Sequence, residues 1–213
     1  ETPSYERNVS LQRFRSHRVY AAGFLAQARS ARKPEVIIAS NPPLESAAAA
    51  AKVARATGSR LIVDVQDIWI ETSRRFLPGV VRWIWPAVFR PWIQANRTAY
   101  SAADAVVGVA GEYADEPRKY GRTEYRREVV PLGIDLASFD AAVACGNSLL
   151  HRRNPGEILA IYSGSLSRNY DVLTVARAAA RICRERSDVR FIFSGRGEME
   201  SEVRCIVDGC EQV

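Results

Sequence analysis

Short apolar runs of strand length alternate with helical patterns along the chain. The runs are EVIIAS from Glu35, RLIVDV from Arg60, DAVVGVA from Asp104, EVVPLG from Glu128, EILAIYS from Glu157 and VRFIFS from Val189. Between them, apolar residues recur at helical spacing, which predicts helices over residues 11–28, 44–56, 112–120, 172–186 and 199–207. Strands that are apolar along their whole length and are separated by helices are typical of a parallel sheet covered on both faces. The sequence therefore predicts an α/β protein.

The alternation lapses over 140–155, a stretch with glycine, asparagine and proline, and then restarts. We therefore expect a first α/β unit over 1–140, a linker over 141–155 and a second unit over 156–213. The second unit has two predicted strands, which cannot enclose a hydrophobic core of that size. Since the chain also begins with Glu1 rather than Met, we expect a piece of a longer protein in which both units are truncated.

The positive charge is spread along the chain rather than clustered. The formal net charge is +6, and arginine supplies most of the cations because the only lysines are Lys33, Lys52 and Lys119. The arginines are interleaved with carboxylates, whereas a nucleic-acid surface concentrates its cations on one face or arm. We therefore expect no nucleic-acid partner. A mildly basic surface suits anionic ligands such as nucleotide diphosphates or acidic lipid headgroups.

Neither a membrane span nor a metal site is predicted. The chain has no apolar run of about 18 residues, the length that a spanning helix needs, and we expect a cytoplasmic protein. Its four cysteines form no C-x-x-C pair, and its two histidines, His17 and His151, lie far apart in sequence. This spacing does not fit a zinc site, so no metal is expected.

The loops that follow the strands are the candidate functional segments, because ligands of open α/β sheets bind outside the carboxyl ends of the strands. After the fifth run, Gly164 leaves room for a phosphate beside backbone amides, and Ser165 and Arg168 can add a hydrogen bond and a charge. After the sixth run, Gly195 and Gly197 permit similarly close approach, although G-x-G alone is a weak signal. Both loops also fit plain strand-to-helix turns that need small residues.

The segment DVQDIWIE follows the second run and places Asp64, Asp67 and Glu71 around Trp69. A carboxylate there can act as a base or hold sugar hydroxyls, and the indole offers a face to a sugar ring. Alternatively, Asp67 caps the next helix and Trp69 packs in the core. The residues alone leave both interpretations open.

Three of the four tryptophans lie between residues 71 and 100, together with several arginines. The apolar residues of this segment form one wide helical stripe, which Pro86 and Pro91 interrupt. Such a stripe fits burial in the protein core, and its tryptophans and arginines also fit a helix at a bilayer interface. The two interpretations are compatible.

The motifs NPP, VQDIWIE, SAADAVVGVAGEYAD, VVPLGID, YSGSLSRNYDVLTVARAA and FIFSGRGE occur in this order. Together they resemble the retaining GT-B glycosyltransferases of family four, of the kind that builds bacterial surface polysaccharides, over roughly residues 34 to 213. The resemblance implies two Rossmann-like domains, the first binding the acceptor and the second a nucleotide diphosphate sugar. It also implies transfer with retained anomeric configuration, without a metal or another cofactor.

On the donor side, the resemblance assigns Gly164, Ser165 and Arg168 to the diphosphate loop. It assigns Gly195 and Gly197 to a loop that lines the nucleotide site. These assignments place the nucleotide diphosphate sugar on the second unit.

On the acceptor side, the resemblance gives Asp67 the catalytic role and places Asn41, Trp69 and Glu71 beside the acceptor. The chain departs from the family at Gln66, where many relatives have histidine or arginine. The family's glycine-rich loop on the first strand and its E-x-x-x-x-x-x-x-E element are also missing from this sequence.

Family members of this kind commonly act on polyprenyl-diphosphate lipids and dock on the membrane with the first domain. The resemblance therefore makes the tryptophan-rich segment a candidate docking surface. Its residues are Arg74, Arg75, Arg82, Trp83, Trp85, Arg90 and Trp92. We expect the protein in the cytoplasm, at the inner face of the cytoplasmic membrane when this surface is engaged.

We therefore expect a glycosyltransferase fragment, inactive by itself, that moves a sugar from a nucleotide diphosphate donor to a glycan or polyprenyl-linked acceptor. Two alternatives stay open. One is a non-catalytic α/β module that binds a nucleotide or an anionic lipid. The other is a GT-B epimerase that acts on the nucleotide sugar without an acceptor.

Overall fold

The computed structural model of the protein describes residues 2–3, 11–75, 79–145, 154–211 and 213. These residues belong to two compact units, unit 1 up to Ile134 and unit 2 from Asp135. Each unit contains parallel strands with helices in the connections. The predicted α/β class is confirmed, with Rossmann-like connectivity in both units.

Unit 1 contains a four-stranded parallel sheet in the order β1-β2-β3-β4. Its strands are β1 (Val36–Asn41), β2 (Arg60–Val65), β3 (Ala105–Gly108) and β4 (Arg126–Val129). Its helices are α1 (Leu11–Ala28), α2 (Leu44–Thr57), α3 (Trp69–Arg75), α4 (Gly79–Val88), α5 (Arg90–Ala102), α6 (Gly111–Ala114) and a 3₁₀ helix (Glu116–Tyr120). All four strands predicted for this unit are present in the predicted order.

One face of this sheet forms the core of unit 1 together with α2 and α5. Leu61, Val63 and Val65 of β2 are fully buried in it. Helix α2 is mostly alanine, the residue with the highest helix propensity, and its Ala47 and Ala51 are also fully buried. Such small side chains let a helix lie close to the sheet. The start of α2 is thereby fixed at the carboxyl edge of the sheet.

The strands of unit 1 end side by side at that edge. Asn41 is in register with Val65, and Val65 with Gly108. The loops that follow β1, β2 and β3 therefore lie next to one another, as ligand-binding loops of parallel sheets do.

The other face of the sheet is open at β1. Burial alternates along this strand, with Ala39 and Asn41 buried, whereas Val36 and Ile38 are 45% and 71% exposed. The expectation that helices cover both faces is therefore wrong at β1.

Unit 2 contains two parallel strands, β5 and β6, paired along their whole length. Its elements are α7 (Leu136–Ala144), β5 (Ile158–Ser163), a 3₁₀ helix (Arg168–Tyr170), α8 (Val172–Glu185), β6 (Val189–Ser194) and α9 (Glu200–Ile206). A small apolar cluster joins α8 and α9 to the loop after β5. It consists of Leu166, Val172, Ala176, Met199 and Val203.

Two elements differ from their predicted form. The helix predicted over 112–120 is divided into α6 and a 3₁₀ helix, because Pro117 has no amide hydrogen to continue an α-helix. Helix α7 extends into the first residues of the predicted linker 141–155, and residues 146–153 lie outside the described residues. Asp135 caps α7, since its carboxylate accepts a hydrogen bond from the Ala137 amide at 3.1 Å.

None of the helices in the described ranges has both the length and the apolar composition that crossing a bilayer requires.

Candidate functional site

The loops after β5 and β6 are joined by backbone hydrogen bonds. The Gly164 amide donates to the Ser194 carbonyl oxygen at 2.9 Å, and the Leu166 amide donates to the Arg196 carbonyl oxygen at 2.9 Å. Both loops lie at the carboxyl ends of adjacent parallel strands. The two loops predicted to bind the donor are therefore held side by side by their own backbone hydrogen bonds.

Backbone contact between these loops explains both glycines of the second loop. A Cβ atom at Gly195 would overlap the carbonyl oxygen of Gly164, and one at Gly197 would overlap the carbonyl oxygen of Leu166. No side chain fits at either position unless the backbone moves. The sequence interpretation attributed these glycines to ligand approach, and the structure adds a packing reason that acts even without a ligand.

Two amides of the first loop remain available. Ser165 is exposed and Ser167 half-buried, and within the described residues neither amide donates to a protein acceptor. The Tyr162 hydroxyl donates to the Ser165 carbonyl oxygen at 2.8 Å, which fixes the orientation of the following peptide group. The side chain of Arg168 is exposed next to them. Two free amides beside a guanidinium are suited to binding an anion.

In unit 1, Asp67 lies exposed in the loop after β2, at the carboxyl edge of the sheet. Desolvation raises the pKa of its carboxyl group, while the Ile68 amide and the Arg13 guanidinium oppose this shift. A carboxylate with a raised pKa is a better proton acceptor than an ordinary aspartate near neutral pH. The role of Asp67 as the catalytic base stays a prediction.

Asn41 is buried at the end of β1, with 1% of its surface exposed. Its side-chain amide donates to Asn96 Oδ1 at 3.1 Å and to the Tyr100 hydroxyl at 2.9 Å. Asn96 in turn donates to the Tyr120 hydroxyl at 3.0 Å. Asn41 therefore ties the first loop to α5, and the expectation that it contacts an acceptor directly is corrected.

Trp69 stands half-buried in an aromatic cluster. Its ring centroid lies 5.5 Å from that of Phe14 and 6.2 Å from those of Phe89 and Trp92. The Arg13 guanidinium lies 5.9 Å from the ring centroid, a cation–π distance. Packing, the second interpretation given for Trp69, is therefore present, and Arg13 links the indole to the surroundings of Asp67.

Glu116 was not predicted from the sequence. It is buried in the 3₁₀ helix after β3, with 1% exposed surface, and its Oε2 lies 2.8 Å from Lys119 Nζ. Burial raises the pKa of its carboxyl group, Lys119 lowers it, and Glu71 raises it further. Burial together with Glu116 and Glu71 also raises the pKa of Tyr120 to about 12. The Glu71 carboxylate therefore contributes to the raised pKa of both Glu116 and Tyr120.

Helix α4 presents apolar side chains to solvent. Trp83 is 90% exposed, Ile84 56% and Val88 51%. Trp85, by contrast, is buried with Leu44 and Ile70, so the expectation that Trp85 belongs to a docking surface is wrong.

The other candidates for docking are placed as follows. Trp92 is half-buried, donates its indole N–H to Glu45 Oε1 at 2.9 Å and packs at a tilt against Phe14 and Phe89, so it too faces inward. Arg90 is exposed at the start of α5. The side chains of Arg74, Arg75 and Arg82 lie outside what the structure describes.

Within the described ranges, no group of three or more histidine, cysteine, aspartate or glutamate side chains is arranged to hold a metal ion.

Residues 4–133 match the family described as "Glycosyl transferase 4-like domain". Two curated relatives are each named GDP-mannose-dependent alpha-(1-6)-phosphatidylinositol dimannoside mannosyltransferase, from the H37Ra and CDC 1551 strains of Mycobacterium tuberculosis. Each is 28% identical to this chain over 109 residues. The matched stretch covers 51% of this chain but 28% of each relative.

Proposed function

The chain belongs to the glycosyl transferase 4-like domain family, and we propose that it is part of a retaining GT-B glycosyltransferase. It moves a sugar from a nucleotide diphosphate donor to a glycan or polyprenyl-linked acceptor. The relatives' name, which contains a GDP-mannose donor and a phosphatidylinositol-based acceptor, supports a nucleotide sugar and a lipid-linked acceptor. The observation that carries the proposal is the pair of available amides, Ser165 and Ser167, beside Arg168.

The donor half of the proposal concerns unit 2. The Ser165 and Ser167 amides and the Arg168 guanidinium bind the diphosphate oxygens. Transfer breaks the bond between the anomeric carbon and the phosphate oxygen, so negative charge grows on the departing diphosphate. Fixed N–H donors and a cation stabilise that charge without reorganisation. Groups of this chain thereby stabilise the leaving group.

The acceptor half concerns unit 1. An acceptor hydroxyl oxygen forms the new bond to the anomeric carbon and must lose its proton. Asp67 accepts this proton, for which its raised pKa is favourable. Trp69 and Glu71 lie at the start of α3, directly after the loop that holds Asp67, and line the acceptor side.

We extend the proposal to an anionic membrane surface as the place of action. The exposed apolar side chains Trp83, Ile84 and Val88 lie in the middle and at the carboxyl end of α4. Arginines precede and follow them, with Arg90 exposed. Exposed tryptophan and aliphatic side chains with nearby arginines fit the interface of a bilayer that contains anionic lipids. A protein docked on such a surface can bind a lipid-linked acceptor from the membrane.

Calorimetric titration with uridine, guanosine, adenosine and thymidine diphosphates tests the donor half. We expect at least one to bind, and Arg168→Ala to weaken its binding about tenfold, the effect of a charge-assisted hydrogen bond. Arg177→Ala is the matched control, since it removes the same charge from an exposed position on α8. Equal weakening by both substitutions, or no binding by the unaltered protein, contradicts the donor site.

Turnover assays separate the alternatives. Since this chain is expected to be inactive by itself, the assay uses the complete enzyme of which it is a part, and incubation with the nucleotide sugar and a lipid-linked acceptor should yield a glycosylated acceptor. Nucleotide binding without any turnover would instead support the non-catalytic module. Conversion of the donor sugar to its epimer without an acceptor would support the epimerase.

A further inference from the structure

Amide donors alternate along the loop that follows β5. Gly164 and Leu166 donate to carbonyl oxygens of the β6 loop, each at 2.9 Å, whereas the Ser165 amide between them remains available. This alternation is the two-residue period of an extended chain. Ser167 continues it, with φ −124° and ψ 161°. The available amides of Ser165 and Ser167 therefore face away from β6.

The next donor on the β6 side is the Arg168 amide, and its acceptor is a side chain. Glu198 Oε1 accepts this hydrogen bond at 3.3 Å. At Arg168 the loop after β6 no longer lies beside the loop after β5, because the chain turns toward α9. The Met199 amide instead donates back to the Leu166 carbonyl oxygen at 2.9 Å. The Glu198 carboxylate thus takes the place of a backbone carbonyl as the third acceptor.

We propose that Glu198 is a positioning residue for the donor diphosphate. By holding the Arg168 amide toward β6, its side chain fixes the peptide group after Ser167, while the Met199 amide holds the peptide group before it through the Leu166 carbonyl oxygen. The Ser165 and Ser167 amides then keep their common direction, away from β6 and toward the diphosphate. The diphosphate ligand in this inference rests on the proposed function, whereas the hydrogen bond itself does not.

The role requires a hydrogen-bond acceptor at residue 198 but not a negative charge. Glutamine keeps an acceptor oxygen at the same position, whereas alanine removes it. A carboxylate near a bound diphosphate is repelled by it. The inference therefore gives a specific order of diphosphate affinity, with Glu198→Gln equal to or above the unaltered protein and Glu198→Ala below it.

This order distinguishes positioning from two other roles. If Glu198 only complemented the dipole at the start of α9, both substitutions would remove the charge and act alike. If Glu198 competed with the diphosphate for the Arg168 amide, alanine would raise the affinity.

The experiment measures two quantities on the full chain. Amide hydrogen exchange by NMR should accelerate at Arg168 in Glu198→Ala but not in Glu198→Gln. The dissociation constant of the best-binding nucleoside diphosphate should rise about fivefold in Glu198→Ala, the effect of one lost hydrogen bond, and stay level or fall in Glu198→Gln. Glu202→Ala, exposed on α9, is the control for charge and should change neither quantity.

Three results would overturn the inference. They are unchanged Arg168 exchange in Glu198→Ala, equal weakening of nucleotide binding by both substitutions, and tighter binding in Glu198→Ala. If no nucleoside diphosphate binds the unaltered protein, the proposed function fails, and the exchange rate of the Arg168 amide still decides whether Glu198 holds it.

Discussion

The side-chain amide of Asn41, at the end of β1, donates a 2.9 Å hydrogen bond to the hydroxyl of Tyr100 in α5. It also donates to Asn96 Oδ1 at 3.1 Å, and all three residues are buried. A motif that suggested a substrate contact is therefore a structural tie between the first loop and α5. Because α2 follows that loop directly, the tie helps to fix the carboxyl edge of the sheet.

Asn41→Ala is expected to destabilise unit 1. It removes two buried hydrogen bonds and leaves their partners unsatisfied, which should lower the free energy of unfolding by about 1 to 3 kcal/mol. Tryptophan fluorescence during urea unfolding measures this effect, since all four tryptophans lie in unit 1. Gln94→Ala, exposed on α5, should be neutral. Similar stabilities for the two variants would contradict the role of Asn41.

Gly195→Ala is expected to destabilise unit 2 by about 1 to 3 kcal/mol, as overpacking does. The new methyl group would overlap the Gly164 carbonyl oxygen and force the two loops apart. Urea unfolding followed by hydrogen exchange of unit 2 peptides measures the change. A Cβ at Gly133 meets nothing within 4 Å, so Gly133→Ala should behave as the unaltered protein. A fully stable Gly195→Ala variant would show that the loops are not in backbone contact.

Glu116→Gln is expected to change the pH dependence of stability. Burial raises the pKa of Glu116 in the folded protein, against the Lys119 contribution and with a further contribution from Glu71. The folded state therefore holds this proton at a higher pH than the unfolded state does. The stabilisation from that proton is complete below the unfolded pKa of about 4.3 and is lost as the pH rises through the raised folded pKa.

The difference in unfolding free energy, Glu116→Gln minus the unaltered protein, should accordingly increase from about pH 4 to about pH 7. Urea unfolding by tryptophan fluorescence at both values measures it. Glu112→Gln, which removes an exposed carboxylate from α6, is the control. A difference for Glu116→Gln that is constant or decreases with pH would contradict the desolvation of this carboxyl group.

Trp83→Ala is expected to weaken binding to vesicles of phosphatidylglycerol and phosphatidylethanolamine about tenfold, because an indole no longer leaves water. Trp83 is 90% exposed, so the substitution should leave stability unchanged. Co-sedimentation measures the binding. Tyr20→Ala removes a 55% exposed aromatic ring from α1 and should have no effect. Equal binding by all three proteins would remove α4 as the docking element.

The strands and most helices could be predicted because each is encoded locally. An apolar run of strand length, or alanine at helical spacing in α2, identifies its element without knowledge of the rest of the fold. The helical stripe between residues 71 and 100 fits the burial of Trp85 but not the exposure of Ile84 and Val88.

The side-chain roles depend on partners far away in sequence. The burial of Asn41 follows from Asn96 and Tyr100 in α5, and no local signal around NPP indicates them. The reason for Gly195 is the carbonyl of Gly164 in another loop. Glu116 precedes a proline, and none of its neighbours in sequence indicates that its side chain is buried.

The central claim is that the loop after β5 binds the donor diphosphate, and NMR titration of the full chain with a nucleoside diphosphate tests it most directly. The account predicts saturable shifts at the Ser165 and Ser167 amide signals with one dissociation constant, which rises about tenfold in Arg168→Ala. Saturable shifts confined to other residues, with the Ser165 and Ser167 signals unmoved, would contradict it.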